Sequence, residues 1–289
     1  MRPLLIDGMH GLGDNLYQRA VLKAYRPDRE LYLVTSWPQL YADLEHVRPV
    51  RHPNVQLRTQ ARNAAQCSPG AWAIPPAGLE RLRWHYVHRE GSILESLCDG
   101  LGIQPDALDM DGPPTEAPPV AGRYVVVRPA TVRTEWRADS RNPRPEYLAQ
   151  AAEAARRGGY KVVSVADLEA GQEWALDPLP LADVVFHKGE LRLPALLALI
   201  AGAAAVIGGV GWAVPAALAY RRHMLLIYGG WGAHNGPARI FDRRVDTSRL
   251  EQVVPDNFCM CGTAQHDCDK RVTDVGGKIE NFFARLSRG

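Results

Sequence analysis

Asp7-Gly-Met-His-Gly-Leu-Gly-Asp14, DGMHGLGD in one-letter code, stands between the short apolar run RPLLI and the stretch NLYQRAVLKAYR. A strand, a glycine turn and an amphipathic helix in that order open a β–α unit of a parallel sheet. The glycines let backbone come close to a ligand, and Asp14 falls at the head of the helix, where a carboxylate is also a good N-cap. The loop departs from the dinucleotide fingerprint. Gly11-Leu-Gly13 is followed at the third position by Leu16, and LYLVTSW offers Thr35 and Ser36 where an acid is needed. No Gly-Lys-Ser/Thr follows, which excludes a P-loop.

Outward from this loop, short apolar runs alternate with longer helical patterns, the signature of layered α/β structure. In the first half, strands are expected at 3–7, 30–35 and 54–58, and helices at 14–25, 38–46 and 79–101. Leu16, Ala20, Val21 and Ala24 give the first helix its apolar stripe, and Pro27 lies just past its end. Five prolines then fall between Gln104 and Gly122, and such a run joins neither a helix nor a central strand. The pattern restarts beyond it. Strands are expected in RYVVVRP, YKVVSVAD, ADVVFH, AAVIGG and HMLLIYGG, with helices at 144–157, 193–203, 212–220 and 275–286. The resulting division is a first Rossmann-like domain at 1–103, a proline-rich linker at 104–122, a second at 123–273, and a closing helix at 274–289. In doubly wound sheets, ligands bind at the carboxyl ends of the strands, so chemistry is expected where both sheets present those ends to a cleft.

Composition narrows the function classes. The chain has 289 residues, a 46% hydrophobic content and a net charge of +2, ordinary for a globular protein of two domains. No apolar run approaches the ~18 residues of a membrane span, and RPLLI is too short for a secretory h-region. The five cysteines, Cys67, Cys98, Cys259, Cys261 and Cys268, are an odd number and form no secreted disulfide framework. A cytoplasmic protein is expected. Arg123, Arg128, Arg133, Arg137, Arg141 and Arg144 crowd one stretch, and guanidinium forks suit phosphate oxygens. A chain-wide basic excess of the kind that marks nucleic-acid binders is missing.

LLIDGMHGLGDNLYQRAVLKAYR resembles the opening of the heptosyltransferase-like glycosyltransferases (glycosyltransferase family 9), whose first strand runs into a Gly-x-Gly-Asp-x-Leu loop and a helix. VVVRPATVRTEW with NPRPEYLAQAAEAARRGGYKVVSVAD is similar to that family's donor-domain opening. LPALLALIAGAAAVIGGVGWAVPAALAYRRHMLLIYGG is similar to its later helix, strand, glycine turn, Ala-Ala-Leu helix and strand. In place of the family's Asp-x-Gly…His turn stands Gly208-Gly-Val-Gly211. The resemblance implies a GT-B fold, two Rossmann-like domains facing across a cleft. It also implies inverting transfer of a sugar from a nucleotide-diphosphate donor to an acceptor hydroxyl, with no catalytic metal.

Asp14 is then the base that takes the acceptor proton, although a helix N-terminus stabilises its carboxylate and weakens it in that role. Gly11 and Gly13 are expected among the donor-binding residues, where they let the loop backbone approach the ligand. Arg128, Arg133 and Arg137, with the amides of Gly209 and Gly211, are expected to hold the diphosphate, Arg128 and Arg133 foremost by the resemblance. Trp231 and His234, in YGGWGAHNGP after a strand end, are expected to contact the nucleotide base or the sugar. The acceptor is a glycan or another hydroxyl, with a modified nucleobase in DNA as an alternative. A catalytically silent sugar-nucleotide-binding module and an epimerase or hydrolase on the same fold are the other readings. Asp109-Met-Asp111 spells the D-x-D of metal-dependent transferases, but it lies in the proline-rich run and is rejected as a metal site. His85 and His88, in RWHYVHRE, are expected on one side of a helix, as packed or surface histidines or as cleft contacts. Finally, Cys259, Cys261, His266 and Cys268 form C-x-C-x4-H-x-C, a set suited to a closed structural zinc site. This site is expected to fix the closing helix against the first domain.

Overall fold

The computed structural model describes residues 2–55, 57–86 and 90–288. The chain divides into two compact units, residues 1–114 with 238–246, and residues 115–237 with 247–289. The main division falls between Pro114 and Thr115, inside the proline-rich run.

In the first unit, strands β1 (Leu4–Asp7), β2 (Leu31–Thr35), β3 (Val47–Arg51) and β4 (Glu80–Arg83) form a parallel sheet in the order β3-β2-β1-β4. Helix α1 (Leu12–Ala24) follows β1, and α2 (Arg58–Gln66) and α3 (Ile93–Gly100) complete the unit. Several expectations change here. The run at 38–46 holds only a short 3-10 turn, Pro38–Tyr41. The strand expected at 54–58 is instead β3, and the segment from Arg58 is helical. The single helix expected at 79–101 is strand β4, a turn through Gly91 at φ +77°, and α3. Ser92 caps α3 by accepting from the Glu95 backbone N–H at 2.9 Å, and Glu95 completes a capping box.

Segment 238–246, which the sequence pattern assigns to the second half, belongs to the first unit for an electrostatic reason. Asp242 and Arg244 are both nearly buried and paired, with Arg244 Nε donating to Asp242 at 2.7 Å. Ser92 Oγ donates to the same carboxylate, and Arg239 donates to the carbonyls of Tyr86 at 2.5 Å and Gly91 at 2.6 Å. Burial alone would raise the Asp242 pKa, but the hydrogen bonds from Arg244 and Ser92 outweigh it and hold the carboxyl down to about 2. A folded pKa below the unfolded 3.8 means stability present above pH ~4 and lost as pH falls towards 2. The expected loss over that window is about 2 kcal/mol. Urea titrations at pH 7, 4 and 2 check this, and Asp242→Asn should flatten the acid limb.

The second unit holds β5 (Tyr124–Val127), the short antiparallel pair β6 (Thr131–Arg133) and β8 (Glu173–Ala175), β7 (Lys161–Val165), β9 (Val184–Phe186), β10 (Ala205–Gly208), β11 (His223–Ile227) and β12 (Leu250–Val253). Its main sheet is parallel, in the order β12-β11-β10-β5-β7-β9. Written from the first strand of the unit, that is the Rossmann order 3-2-1-4-5-6, with its switch point between β5 and β10. Helices α4 (Pro145–Arg157), α5 (Leu193–Gly202), α6 (Ala213–Ala219), α7 (Gly232–Asn235), α8 (Pro237–Ile240) and α9 (Val275–Leu286) complete the chain. Strand β12 and the β6–β8 pair lie outside the expected pattern.

Helix α9 covers the bounds that its periodicity predicts. Ile279, Phe282, Phe283 and Leu286 form its buried stripe, in one core cluster with Leu148, Ala151, Ala152 and Ala155 of α4. The closing helix is therefore part of the second unit's core. That corrects the expectation that a metal clip fixes it to the first domain, because its own apolar face already supplies the anchor. No helix among the described residues is long and apolar enough to cross a membrane.

Candidate active site and metal centre

The loop after β1 sits at the first unit's switch point, between the carboxyl ends of β1 and β4. Helix α1 begins earlier than its sequence pattern suggests, with Gly11 as N-cap. Asp14 is thus the third helical residue and not the cap. Its carboxylate folds back over Gly11, where an added Cβ would lie 2.5 Å from Asp14 Oδ2. A side chain at Gly11 would push that carboxylate aside. Asp14 Oδ1 accepts from the Tyr86 hydroxyl at 2.6 Å. Burial, reinforced by the neighbouring Asp14 charge, pushes the Tyr86 phenol well above its ordinary pKa, so it remains a donor.

The loop backbone is held by side chains that sequence reading passed over. Asn15 Nδ2 donates to the carbonyls of Met9 (3.0 Å) and Gly11 (2.9 Å). Gln18 accepts from Met9 N and donates to Met9 O, both at 2.8 Å. Trp37 Nε1 and Gln60 Nε2 donate to the His10 carbonyl at 2.8 and 3.0 Å. Asn15 and Gln18 were findable, since they follow the glycine loop directly on a helical face. Tyr86 left no such signal, because 72 residues separate it from Asp14. His85 sits beyond β4 in non-helical chain, and burial lowers its pKa; His88 lies outside the described residues. Asp109 pairs with Lys23 and accepts from the Asp111 backbone N–H at 2.8 Å, which gives the D-x-D a structural role.

Arg128 stands at the second unit's switch point, its backbone N–H donating to Ile207 O of β10 at 2.9 Å. It is half-buried, and its one side-chain hydrogen bond among the described residues is a long one, 3.4 Å, to Thr131 Oγ1. Burial and then repulsion from Arg133 pull its pKa down to about 10, with Glu173 acting in the opposite direction. Arg133 lies 3.8 Å from Glu173. Structure thus brings Arg128 and Arg133 together. Arg137 is elsewhere, exposed and forked onto Asp139 at 2.8–3.2 Å. Gly208 lies against Arg128, Gly209 against Pro143, and Gly211 faces open space.

Beyond β11, Trp231 takes a left-handed backbone conformation at φ 60°. Its ring centroid lies 5.2 Å from His234 and 6.1 Å from Trp136, and Arg141 stacks 4.8 Å over Trp136. Trp231 and His234 therefore share one aromatic group, extended by Trp136, which the sequence did not single out, and by Arg141 of the arginine cluster. Trp231 Nε1 is buried without a hydrogen-bond partner among the described residues.

Cys259, Cys261, His266 and Cys268 converge, with their four ligand atoms within 4.8 Å of one another. Cys261 Sγ is 3.6 Å from Cys268 Sγ, and His266 Nδ1 is 3.3 Å from Cys268 Sγ and 3.5 Å from Cys259 Sγ. Three thiols and an imidazole at these separations can hold one tetrahedral metal ion. The segment is knit to the Trp231 turn. Gly232 N–H donates to Cys259 O at 2.9 Å, and a Cβ on Gly230 would stand 2.3 Å from Cys268 Sγ. Ser140 joins both, donating through N to Ala264 O (2.9 Å) and accepting through O from Gly230 N (2.6 Å).

No protein-family model and no curated protein matches this sequence. Solved structures do match the fold. The dodecameric iron-containing heptosyltransferase TibC of enterotoxigenic E. coli, in complex with ADP-D-β-D-heptose, superposes with a TM-score of 0.59 and 17% identity, over 99% of this chain and 77% of that one. A glycosyl transferase of family 9 from Veillonella parvula gives 0.58 and 12%, over 100% and 98%. E. coli ADP-heptose lipopolysaccharide heptosyltransferase II gives 0.56 and 13%, over 99% and 100%. The fold is that of the heptosyltransferases, two Rossmann-like units of the GT-B class.

Proposed function

We propose that this protein is a glycosyltransferase that moves a sugar from a nucleotide-diphosphate donor to an acceptor hydroxyl, with inversion and without a metal at the diphosphate. The observation that carries the reading is Arg128, a half-buried guanidinium with one long hydrogen bond at the Rossmann switch point. A cation so placed favours an anion, and a diphosphate leaving group supplies one. In the transfer, the acceptor oxygen bonds to the anomeric carbon as the bond to the diphosphate breaks. Asp14 takes the acceptor proton, held in position by Tyr86, while Arg128 and Arg133 receive the charge that develops on the leaving oxygen. Trp136, Trp231 and His234 provide a stacking surface for the nucleobase. Five cysteines, none paired in a disulfide among the described residues, suit a reducing, cytoplasmic setting. The Cys/His cluster is taken as a structural zinc clip, since its four donors close the coordination shell.

Arg128→Ala should weaken nucleoside diphosphate binding about 10- to 100-fold, the worth of a hydrogen bond to a charged group. Calorimetry with ADP, UDP and GDP measures it. Transfer should persist in EDTA without added Mg2+ or Mn2+. Unchanged affinity in the variant, or activity restored only by those hard cations, would overturn the reading.

A further inference from the structure

The carboxyl end of β1 carries a second group of ligating side chains that the transferase reading does not use. His10 Nε2 lies 3.1 Å from His52 Nε2 and 3.7 Å from Asp7 Oδ1. All three ligand atoms fall within 4.8 Å of one another. The two rings meet edge to face, 4.0 Å between centroids. Two imidazole nitrogens bound at about 2.0–2.1 Å to one tetrahedral ion stand about 3.3 Å apart, close to the spacing here.

Hydrogen bonding alone leaves this cluster unsatisfied. His52 Nδ1 accepts from the Asn54 backbone N–H at 3.0 Å, which assigns the His52 ring proton to Nε2, donated to His10 Nε2. His10 then carries its own proton on Nδ1, and that atom is buried with no partner among the described residues. The contact to Asp7 is too long for a hydrogen bond. Yet the backbone at His10 is fixed by Trp37 and Gln60, and His52 N–H donates to Thr35 O at 3.3 Å. A braced scaffold thus holds the Nε2 atoms of both rings and Asp7 Oδ1 within reach of one ion, and it is this convergence, rather than the unshared His10 Nδ1 proton, that an ion would satisfy.

We propose that Asp7, His10 and His52 bind a borderline divalent transition-metal cation of the zinc class, leaving at least one coordination position open. Two imidazoles and one carboxylate select such ions over Mg2+ or Ca2+, which take oxygen ligands. Three protein ligands leave room for water or a hydroxyl oxygen. His10 already presents a lone pair at Nε2. For His52 the ring proton must shift from Nε2 to Nδ1, and the exposed Asn54 N–H turns to water in exchange. That shift breaks the Nε2–H bond and forms an Nδ1–H bond, and no redox change is involved. The site is distinct from the Cys259–Cys268 cluster in position and in ligand chemistry, and it stands whether or not the protein transfers sugars.

The test adds Zn2+ to the purified full chain and follows the imidazole nitrogens by long-range 1H–15N NMR. The expected result is a shift of the His10 and His52 Nε2 resonances that saturates at a single equivalent beyond any metal already in the cysteine cluster. Co2+ added in parallel should give a spectrum without thiolate charge-transfer bands for that equivalent. His52→Ala should abolish the binding, and Asp7→Asn should weaken it by about tenfold or more. If His52→Ala fails to fold, Asp7→Asn decides alone, because Asp7 is exposed. His10 and His52 resonances that stay in place to millimolar Zn2+, or an Asp7→Asn protein that binds as tightly as wild type, would overturn the proposal.

Discussion

Asp14→Asn is expected to lower sugar transfer by about 10²- to 10⁴-fold, the usual worth of a positioned general base, while nucleotide-sugar affinity stays within a few-fold of wild type. Asparagine keeps the volume and can still accept from the Tyr86 hydroxyl, which stands 2.6 Å from Asp14 Oδ1. What it loses is the capacity to take a proton. The donor-holding groups proposed above, Arg128, Arg133, Trp136 and Trp231, are other residues, so binding and turnover should separate. Asp14 also lies in the first turn of α1, where a negative charge stabilises the helix by roughly 0.3–1 kcal/mol. A purely structural aspartate would therefore show a small fall in stability and wild-type turnover. Tyr86→Phe gives an intermediate case. It removes the positioning hydrogen bond but leaves the base, so kcat should fall about tenfold, the worth of a hydrogen bond to a charged group. Steady-state kinetics beside calorimetric donor binding distinguishes all three results.

The parts of the fold legible in sequence were those whose patterning is purely local. Strand β1 and helices α4 and α9 show clear local patterning between stop signals, and their positions hold in the structure. β3 was hidden because Val47–Arg51 reads Val-Arg-Pro-Val-Arg. Proline and charge argue against a central strand, but β3 is the edge of its sheet, where both are tolerated. β4 was merged into a helix because its four residues are mostly exposed and alternate weakly. The Ser92-Ile-Leu-Glu95 capping box just beyond it was a local signal that could have separated the two. Segment 238–246 could not be assigned from sequence, since its place depends on Asp242 meeting Ser92, 150 positions away.

The site divides in the same way. Asp14, Trp231 and the cysteine cluster announce themselves by motif. Arg128 and Arg133 stood out from the arginine run only through the family resemblance, and the fold adds a physical reason to set Arg137 apart, since its fork is occupied by Asp139 two residues on. Tyr86, Trp136 and Arg141 are defined by what they touch. Each belongs to a residue type with many ordinary uses, and no spacing rule picks them out.

Cys268→Ala is expected to do more than remove a thiol. Cys268 is buried, 7% exposed, and burial pushes its thiol up to about 11 in the absence of a metal. A zinc-class ion would replace that proton and join Cys268 to Cys259, Cys261 and His266. These ligands flank the backbone contacts that hold the Trp231 turn, Gly232 to Cys259 and Gly230 to Ser140. Loss of one ligand from a closed set of four should release the ion, and with it the left-handed turn at Trp231. Bound metal should therefore drop by about one equivalent, the one that the cysteine cluster holds. Stability should fall by about 3 kcal/mol or more, lowering Tm by roughly 6–12 °C for a protein of this size. Donor KM should rise while kcat changes little, because the stacking surface is disturbed and Asp14 is not. A thiol that served only as a small core side chain would cost about 1 kcal/mol on truncation and leave metal content unaltered. Elemental analysis of protein purified without added metal decides between them. Wild-type protein with a negligible fraction of an equivalent of metal, and with Cys259, Cys261 and Cys268 all freely reactive, would refute the clip.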